Sequence, residues 1–214
     1  MSAPDLCHVF VFVTPGAPEA AGLGAAGLRE SFRRAHPGQG TANACWCFDN
    51  AYLELLWVDD AAAVSGPPIA RTCLAERARW RETGASPFGI AVRGAMPFAA
   101  WDYRPPYLPA GLSIPVALSS EDPRQPFLFR SPGDARPDAW TDGRAGDRQA
   151  AAGLAEIAGV HLDLSAPPTD DLRTLEAAGL LTLGHAGAPR MVLTLSRRDG
   201  GPARRLSLPD FRWE

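Results

Sequence analysis

The segment from His36 to Asp60, HPGQGTANACWCFDNAYLELLWVDD, limits what this chain can fold into more than any other stretch. Residues 41–48 and 51–58 are rich in aromatic and β-branched side chains, and a short polar turn separates them. This pattern predicts a hairpin of two well-buried strands. In the second strand Glu54 stands among leucines and a tryptophan. A carboxylate buried there is costly unless a cation, a metal or hydrogen bonds compensate it, so we expect a functional site around Glu54.

Composition excludes several classes of protein. The chain has 214 residues, of which 46% are hydrophobic, and a formal net charge of −3. It contains no sustained basic run, so it lacks the electrostatic pattern of proteins that bind nucleic acid or anionic membranes. Its apolar runs are shorter than the roughly 20 residues that span a bilayer. We therefore expect a cytoplasmic protein whose partner is a small molecule.

The four cysteines do not predict a disulfide framework or a zinc ribbon. Cys7, Cys45, Cys47 and Cys73 are not arranged as two closely spaced pairs. Cys45 and Cys47 lie two apart on a predicted strand and therefore point the same way, which would let them reach a pocket. Buried cysteine more often behaves as a small hydrophobic residue. We expect four reduced thiols and assign none of them to catalysis.

The first quarter of the chain predicts a strand, a helix and three strands over residues 7–58. Residues 7–13 form a short β-rich run near whose start His8 lies. Residues 19–28 then carry alanine and leucine at helical spacing. A charged edge strand leads into the central hairpin, so the order is βαβββ.

Residues 159–208 show the same βαβββ order, and their first strand carries His161. Similar element order in two segments indicates an internal repeat. Between the two, residues 59–158 predict inserted helices, further strands and a loop rich in proline and aromatic residues. We interpret the chain as a single α+β domain spanning residues 1–214, with two βαβββ modules.

Four motifs, HPGQGTAN, CFDNAYLELLWV, ASPFGIAVR and WDYRPPYLP, together with this layout resemble the glyoxalase-like proteins of the vicinal oxygen chelate superfamily. The resemblance covers nearly the whole chain. It implies that the paired modules curl into an open, barrel-like cleft. It also implies a divalent metal held on the first and last strands of each module, and chemistry of the lyase, isomerase or dioxygenase kind.

The metal positions that the resemblance implies are His8, Glu54 and His161. The fourth position falls near residues 205–208, where Ser207 is the only plausible inward polar group, so the four-ligand pattern is incomplete. Two imidazoles and one carboxylate match the composition of a facial triad for Fe(II) and related ions, and Fe, Zn, Mn or Ni is the implied cofactor. The alternative is that both histidines are hydrogen-bonded core residues.

Polar residues of the HPGQGTAN segment are candidates for ligand contact. Glu54 and His36 are the candidate catalytic acid/base groups. The candidate ligand-binding residues nearby are Gln39, Thr41, Asn43 and Tyr52. The alternative is a turn whose side chains satisfy their own backbone, but such a turn does not require histidine and glutamine.

Three aromatic residues between prolines, Trp101, Tyr103 and Tyr107, are also candidate ligand-binding residues. They would cover the mouth of a cavity, or else pack on the core. If they bind a planar ligand, a second function becomes available: a non-catalytic protein that sequesters a small molecule, as antibiotic-binding members of the superfamily do. A chain with two modules can close its own cleft, so both a monomer and a homodimer agree with the sequence.

Overall fold

The computed structural model describes residues 4–214, which form an α+β fold. The strands are β1 (Asp5–Phe12), β2 (Phe32–His36), β3 (Thr41–Cys47), β4 (Tyr52–Val58), β5 (Phe88–Arg93), β6 (Ala100–Tyr103), β7 (Ile114–Ala117), β8 (Phe127–Arg130), β9 (Leu154–Leu164), β10 (Thr182–His185), β11 (Arg190–Arg197), β12 (Arg204–Leu208) and β13 (Arg212–Trp213). The helices are α1 (Ala20–Ala25), α2 (Ala61–Val64), α3 (Pro67–Ala70), α4 (Leu74–Ala78), α5 (Trp80–Thr83) and α6 (Asp170–Ala177). In residues 4–214 no helix has the length and apolar character needed to cross a membrane.

Eight strands form one sheet in the order β2-β3-β4-β1-β5-β8-β7-β6. The predicted hairpin is present as β3 and β4, which pair antiparallel with Cys45 opposite Glu54. Strand β1 runs parallel to β4, and β5 runs parallel to β8, while β1 and β5 meet antiparallel at the centre. The second half of the sheet therefore repeats the pairing order of the first half. The α+β class with an open cleft is confirmed.

The second half of this sheet comes from residues 88–130 and not from residues 159–208, where we predicted it. The latter form a separate sheet of five strands, in the order β10-β9-β11-β12-β13. Strand β9 lies between β10 and β11 there, a pairing that differs from that of β1. The prediction was wrong because element order does not fix strand pairing, and because no helix separates β5 from β6.

The two sheets share one apolar core, and the hairpin turn joins them. Nδ2 of Asn50 donates a hydrogen bond to the backbone carbonyl of Ile157 (3.0 Å). Oδ1 of Asn50 accepts a hydrogen bond from the backbone N–H of Ile157 (2.9 Å). The Asn50 amide therefore pairs with the backbone of β9 in the way that a residue of a neighbouring strand would. Beside it, Asp49 accepts from Arg148 (2.6 Å) and Arg198 (2.8 Å). Leucines and other apolar residues of both sheets are buried behind this contact.

Gly40 ends the turn before β3 and packs against the start of α2. Its φ is +77°, and a Cβ there would collide with the backbone oxygen of Asp60 and the backbone nitrogen of Val64. The Gly40 carbonyl also accepts from the N–H groups of Asp59 and Asp60. This turn therefore fixes the residues just before β3 against α2.

We expect Gly40→Ala to lower the free energy of unfolding by about 3 kcal/mol, because it adds both backbone strain and a collision. Gly27→Ala is the matched control: Gly27 has φ +89° but no atom within 4 Å of its Cβ position. Strain alone should cost about 1 kcal/mol there. Urea denaturation of both variants measures the difference, and equal losses would contradict the packing role of Gly40.

Candidate functional site

A cavity of about 480 Å³ is lined by strands from both halves of the large sheet. Parallel pairing of β1 and β4 sets His8 beside Tyr52 and Phe10 beside Glu54. Antiparallel pairing of β3 and β4 brings Asn43 opposite Leu56. The buried polar side chains of the central wall are His8, His36, Gln39, Asn43 and Glu54. Arg34, Ser131, Asp134 and Arg144 also line the cavity, and the rest of the lining is largely aromatic and apolar.

Glu54 is the central group of this cavity and is only 6% exposed. Its Oε1 accepts a hydrogen bond from Nδ2 of Asn43 at 2.6 Å. Its Oε2 lies 3.5 Å from Nε2 of His8. Burial raises the pKa of Glu54 to about 7, although the Asn43 hydrogen bond and the charge of Arg34 work against that shift. The carboxyl group therefore changes charge near neutral pH.

The His8 imidazole is neutral and held by aromatic packing. It stacks on Tyr52 at 4.2 Å between ring centroids, and the edge of Phe129 lies at 5.3 Å. Burial, helped by the charge of Arg93, lowers the pKa of His8 to about 3. The contact with Glu54 is therefore one between a neutral ring and a carboxyl group, and not an ion pair.

A chain of hydrogen bonds fixes the second histidine, His36. Tyr103 donates from its hydroxyl to Oε1 of Gln39 (2.7 Å), and Nε2 of Gln39 donates to Oγ1 of Thr41 (2.7 Å). Thr41 therefore has its own hydroxyl proton available for Nδ1 of His36, which lies 2.9 Å away. On the other side of the ring, Nε2 of His36 lies 3.5 Å from Nδ2 of Asn43.

His36 is neutral as well, because burial, assisted by the charge of Arg34, lowers its pKa to about 4. Its ring packs against Tyr107 at 4.8 Å. A neutral imidazole with a proton on Nε2 can donate a hydrogen bond to an oxygen atom in the cavity. It cannot act as a cation there.

Asn43 has an acceptor that the protein does not use. Its Nδ2 is bound to Glu54, but Oδ1 is buried and has no hydrogen-bond partner in residues 4–214. A buried carbonyl oxygen without a partner is costly. Asn43 lines the cavity, but this oxygen itself has no accessible surface.

One side of the cavity is an aromatic wall with cations at its edge. Tyr52, Phe32 and Trp140 lie edge to face, with centroids 5.8–6.2 Å apart. Arg144 lies 3.8 Å over the Trp140 ring. Arg34 also lines the cavity, and within the described residues no carboxylate oxygen lies within 4.0 Å of its guanidinium. This edge suits an anionic group on a ligand with a flat apolar part.

Residues 6–106 match the family of the glyoxalase-like domain. These residues, just under half of the chain, are similar to a glyoxalase-like domain. The matched residues include His8, His36, Asn43 and Glu54, so the family covers the polar centre of the cavity. The predicted resemblance to glyoxalase-like proteins is confirmed over these residues.

The solved structures that are similar to this chain are distant ones. No curated protein matches its sequence. A hypothetical protein from Bacillus halodurans C-125 is 14% identical, with a TM-score of 0.38 over 63% of this chain and 99% of its own. Methylmalonyl-CoA epimerase in complex with methylmalonyl-CoA and NH4+ is 13% identical, with a TM-score of 0.41 over 64% of this chain and all (100%) of its own. A mutant 4-hydroxymandelate synthase from Streptomyces coelicolor is 15% identical, with a TM-score of 0.46 over 97% of this chain and 63% of its own.

Three predicted site residues are not in the cavity lining. Thr41 is hydrogen-bonded to two residues that are, His36 and Gln39, whereas the other two lie elsewhere in the fold. His161 is on β9 in the second sheet, where its ring contacts Thr182 (2.8 Å) and Asp163 (3.2 Å). Trp101 does not line the cavity and instead packs under the guanidinium of Arg71 at 4.3 Å. Both corrections follow from the pairing of β9 with β10 and β11, and from the position of β6 at the sheet edge.

The remaining donors do not fit a divalent metal held by protein side chains. Strand β8 takes the place of β4 in the second half of the sheet, and its residues at the cavity are Phe127 and Phe129. Only His8 and Glu54 face each other, and residues 4–214 contain no group of three His, Cys, Asp or Glu side chains arranged around a metal position. Ser207, the expected fourth position, lies on β12 in the second sheet. We therefore derive no step through a metal.

The sequence did not predict several lining residues, above all Cys7. In β1, Leu6 faces Val92 and His8 faces Ala91, so Cys7 is an extra residue in the pairing of β1 with β5. Such a bulge turns a side chain away from its expected face. Cys7 and His8 consequently both line the cavity. No feature of the sequence predicts this bulge.

Proposed function

We propose that this glyoxalase-like protein binds a small organic acid with a carbonyl group in its cavity and that Glu54 moves a proton at the carbon beside that carbonyl. Such proton transfer is the central step of isomerases, epimerases and some lyases. The observation that supports the proposal is a buried carboxyl group whose pKa is raised to about 7, near neutral pH. At neutral pH a group with that pKa is present both as the base that removes a proton and as the acid that returns it.

Each neighbour of Glu54 has a role in this proposal. Oε1 is held by Asn43, whereas Oε2 has only the longer contact with His8, so Oε2 is the oxygen that would take the proton. In the tautomer that carries its proton on Nε2, His36 would donate to the substrate carbonyl and stabilise the charge that develops there. Arg34 would pair with the carboxylate of the substrate, and the aromatic wall of Tyr52, Phe32 and Trp140 would contact its flat part.

The test uses a series of 2-oxo acids from pyruvate to phenylpyruvate, in D₂O, with loss of the C3 proton signal followed by NMR. We expect the protein to accelerate exchange, with the aromatic acid preferred because of the aromatic wall. EDTA treatment should leave the rate unchanged, since the proposed steps use side chains alone. Arg34→Gln should raise KM more than it lowers kcat, because Arg34 contacts the carboxylate and not the reacting carbon.

A second function remains open, the binding of a small molecule without turnover. The observation that favours it is the aromatic wall with Arg144 stacked on Trp140, which can hold a planar ligand by contact alone. Saturable quenching of tryptophan fluorescence by phenylpyruvate, without any acceleration of exchange, would support this function and overturn the proposed proton transfer.

A further inference from the structure

The proline-rich segment directly after β6 packs on the turn between β2 and β3. At its start, the Tyr103 hydroxyl donates a hydrogen bond to Oε1 of Gln39 (2.7 Å). Further along, Pro106 lies so close to Gly38 that a Cβ at this glycine would be 2.7 Å from the Cβ of the proline. A proline has a fixed φ, so the segment is stiff. These contacts fix the position of the next residue, Tyr107.

Tyr107 is half-buried, lines the cavity and packs on the ring of His36 at 4.8 Å between centroids. Burial raises the pKa of its hydroxyl and the charge of Glu54 raises it further, whereas the charge of Arg34 works against the shift. The phenol therefore stays protonated at neutral pH, near both charged groups. Within residues 4–214 its hydroxyl makes no hydrogen bond, so its proton is available to a ligand.

The other two tyrosines are placed differently. The Tyr103 hydroxyl already has a protein partner, Gln39. Tyr52 stacks on His8, whose Nε2 faces Oε2 of Glu54, and its ring belongs to the aromatic wall. Tyr107 instead lies on the side of His36, where Asn43 holds the other carboxyl oxygen. A substrate whose reacting carbon lies at Oε2 would therefore extend its carbonyl group toward Tyr107.

We propose that the Tyr107 hydroxyl donates a hydrogen bond to the carbonyl oxygen of the substrate and stabilises the charge that develops there. The inference rests on the proton transfer proposed for Glu54. As the carboxylate takes the proton, the C–H electron pair forms a C=C bond and the carbonyl π pair moves onto oxygen. The phenol keeps its own proton throughout.

A phenol suits this task because it can donate whichever nitrogen of His36 carries the imidazole proton. A donor that is already in place stabilises an oxyanion without rearrangement during the reaction. The contacts of Tyr103 and Pro106 supply that fixed position. Tyr107 is thus a second donor to the carbonyl, beside the one proposed for His36.

The first experiment measures binding without turnover, by isothermal titration calorimetry. Tyr107→Phe removes the hydroxyl and keeps the ring that packs on His36. The two ligands are phenylpyruvate and 3-phenylpropionate, which share a carboxylate and a phenyl ring but differ in the carbonyl group. We expect the variant to bind phenylpyruvate on the order of fivefold more weakly than the wild type does, and 3-phenylpropionate equally well.

Equal weakening for both acids would show that Tyr107 acts only by packing, and unchanged affinity for both would show that it does not contact the carbonyl. Either result overturns the inference. Thermal unfolding of the variant should match that of the wild type, because the packing on His36 is kept.

The second experiment is proton exchange in D₂O with the same variant. We expect kcat to fall on the order of a hundredfold and KM to change much less, since the hydrogen bond strengthens as charge develops. An unaltered kcat would refute the role of Tyr107 and leave that of Glu54 intact. If the wild type binds phenylpyruvate but catalyses no exchange, the proton transfer is refuted, and the binding comparison still decides whether Tyr107 contacts the carbonyl.

Discussion

Glu54→Gln is expected to abolish proton exchange and, at the same time, to stabilise the folded protein above pH 7. Removing a general base of this kind lowers the rate by roughly a thousandfold. Glutamine has nearly the shape of glutamate and can still accept the hydrogen bond from Asn43. The loss of rate would therefore reflect the missing proton acceptor and not a change of the cavity.

The gain in stability follows from the raised pKa of Glu54. The carboxyl group has a pKa of about 7 in the folded protein, against an ordinary value of 4.5. Between these values the folded state binds a proton that the unfolded state has lost, so stability falls as pH rises and levels off above pH 7. The buried charge then costs about 3 kcal/mol. A neutral glutamine avoids this cost.

Guanidinium denaturation at pH 5 and pH 8 measures the effect. We expect Glu54→Gln to make the free energy of unfolding much less dependent on pH in this interval. Glu82→Gln is the control, because the Glu82 side chain is 74% exposed and its charge is solvated in both states. Parallel pH profiles for wild type and Glu54→Gln would contradict a raised pKa at Glu54.

Arg77→Met should cost about 3–5 kcal/mol of folding free energy, because it removes the partner of several buried groups. Arg77 is 0% exposed, and its guanidinium donates only to backbone carbonyls. These belong to Ser120 (2.8 Å), Pro123 (3.1 Å), Asp122 (3.3 Å), Thr72 (3.4 Å), Ser86 (3.4 Å) and Gln125. The side chain thus holds the segment before β8 against α4.

Methionine fills similar space but donates no hydrogen bond, so the carbonyls lose their partner. Arg79→Met is the control, since Arg79 is 63% exposed and has a single 4.0 Å contact with Glu82. It should change stability by no more than about 0.5 kcal/mol. Thermal and urea denaturation compare the two variants. A loss at Arg77 as small as that at Arg79 would show that water replaces the guanidinium without cost.

Local patterns predicted the hairpin of β3 and β4 and the environment of Glu54, because alternation and a short turn fix the register of neighbouring strands. The closeness of His8 and Glu54 required more than the pattern. It came from the family resemblance, which placed the first and fourth strands side by side. The positions of Gln39, Thr41 and Asn43 also follow from the hairpin, and these side chains form one hydrogen-bonded group with His36.

Long-range pairing could not be predicted in the same way. The order βαβββ in residues 159–208 is real, but the choice between joining β1 and forming a new sheet depends on edge contacts that no local pattern encodes. His161 was assigned to the site because residues 159–208 were predicted to form the second half of the same sheet. Cys7 was missed because a bulge depends on how two strands pair, which no single segment encodes. Arg34 was missed because the sequence pattern of a charged edge strand predicts solvent-exposed arginines.

The near-symmetric backbone of the large sheet carries an asymmetric set of side chains. Its first half presents His8, Asn43 and Glu54, whereas β8 in the second half presents Phe127 and Phe129. A flat molecule lying between the halves would meet a proton donor on one side and hydrocarbon on the other. If Glu54 transfers a proton as proposed, the proton would return to a single face, so the cavity suits an isomerase or lyase that forms one mirror-image product and not an epimerase.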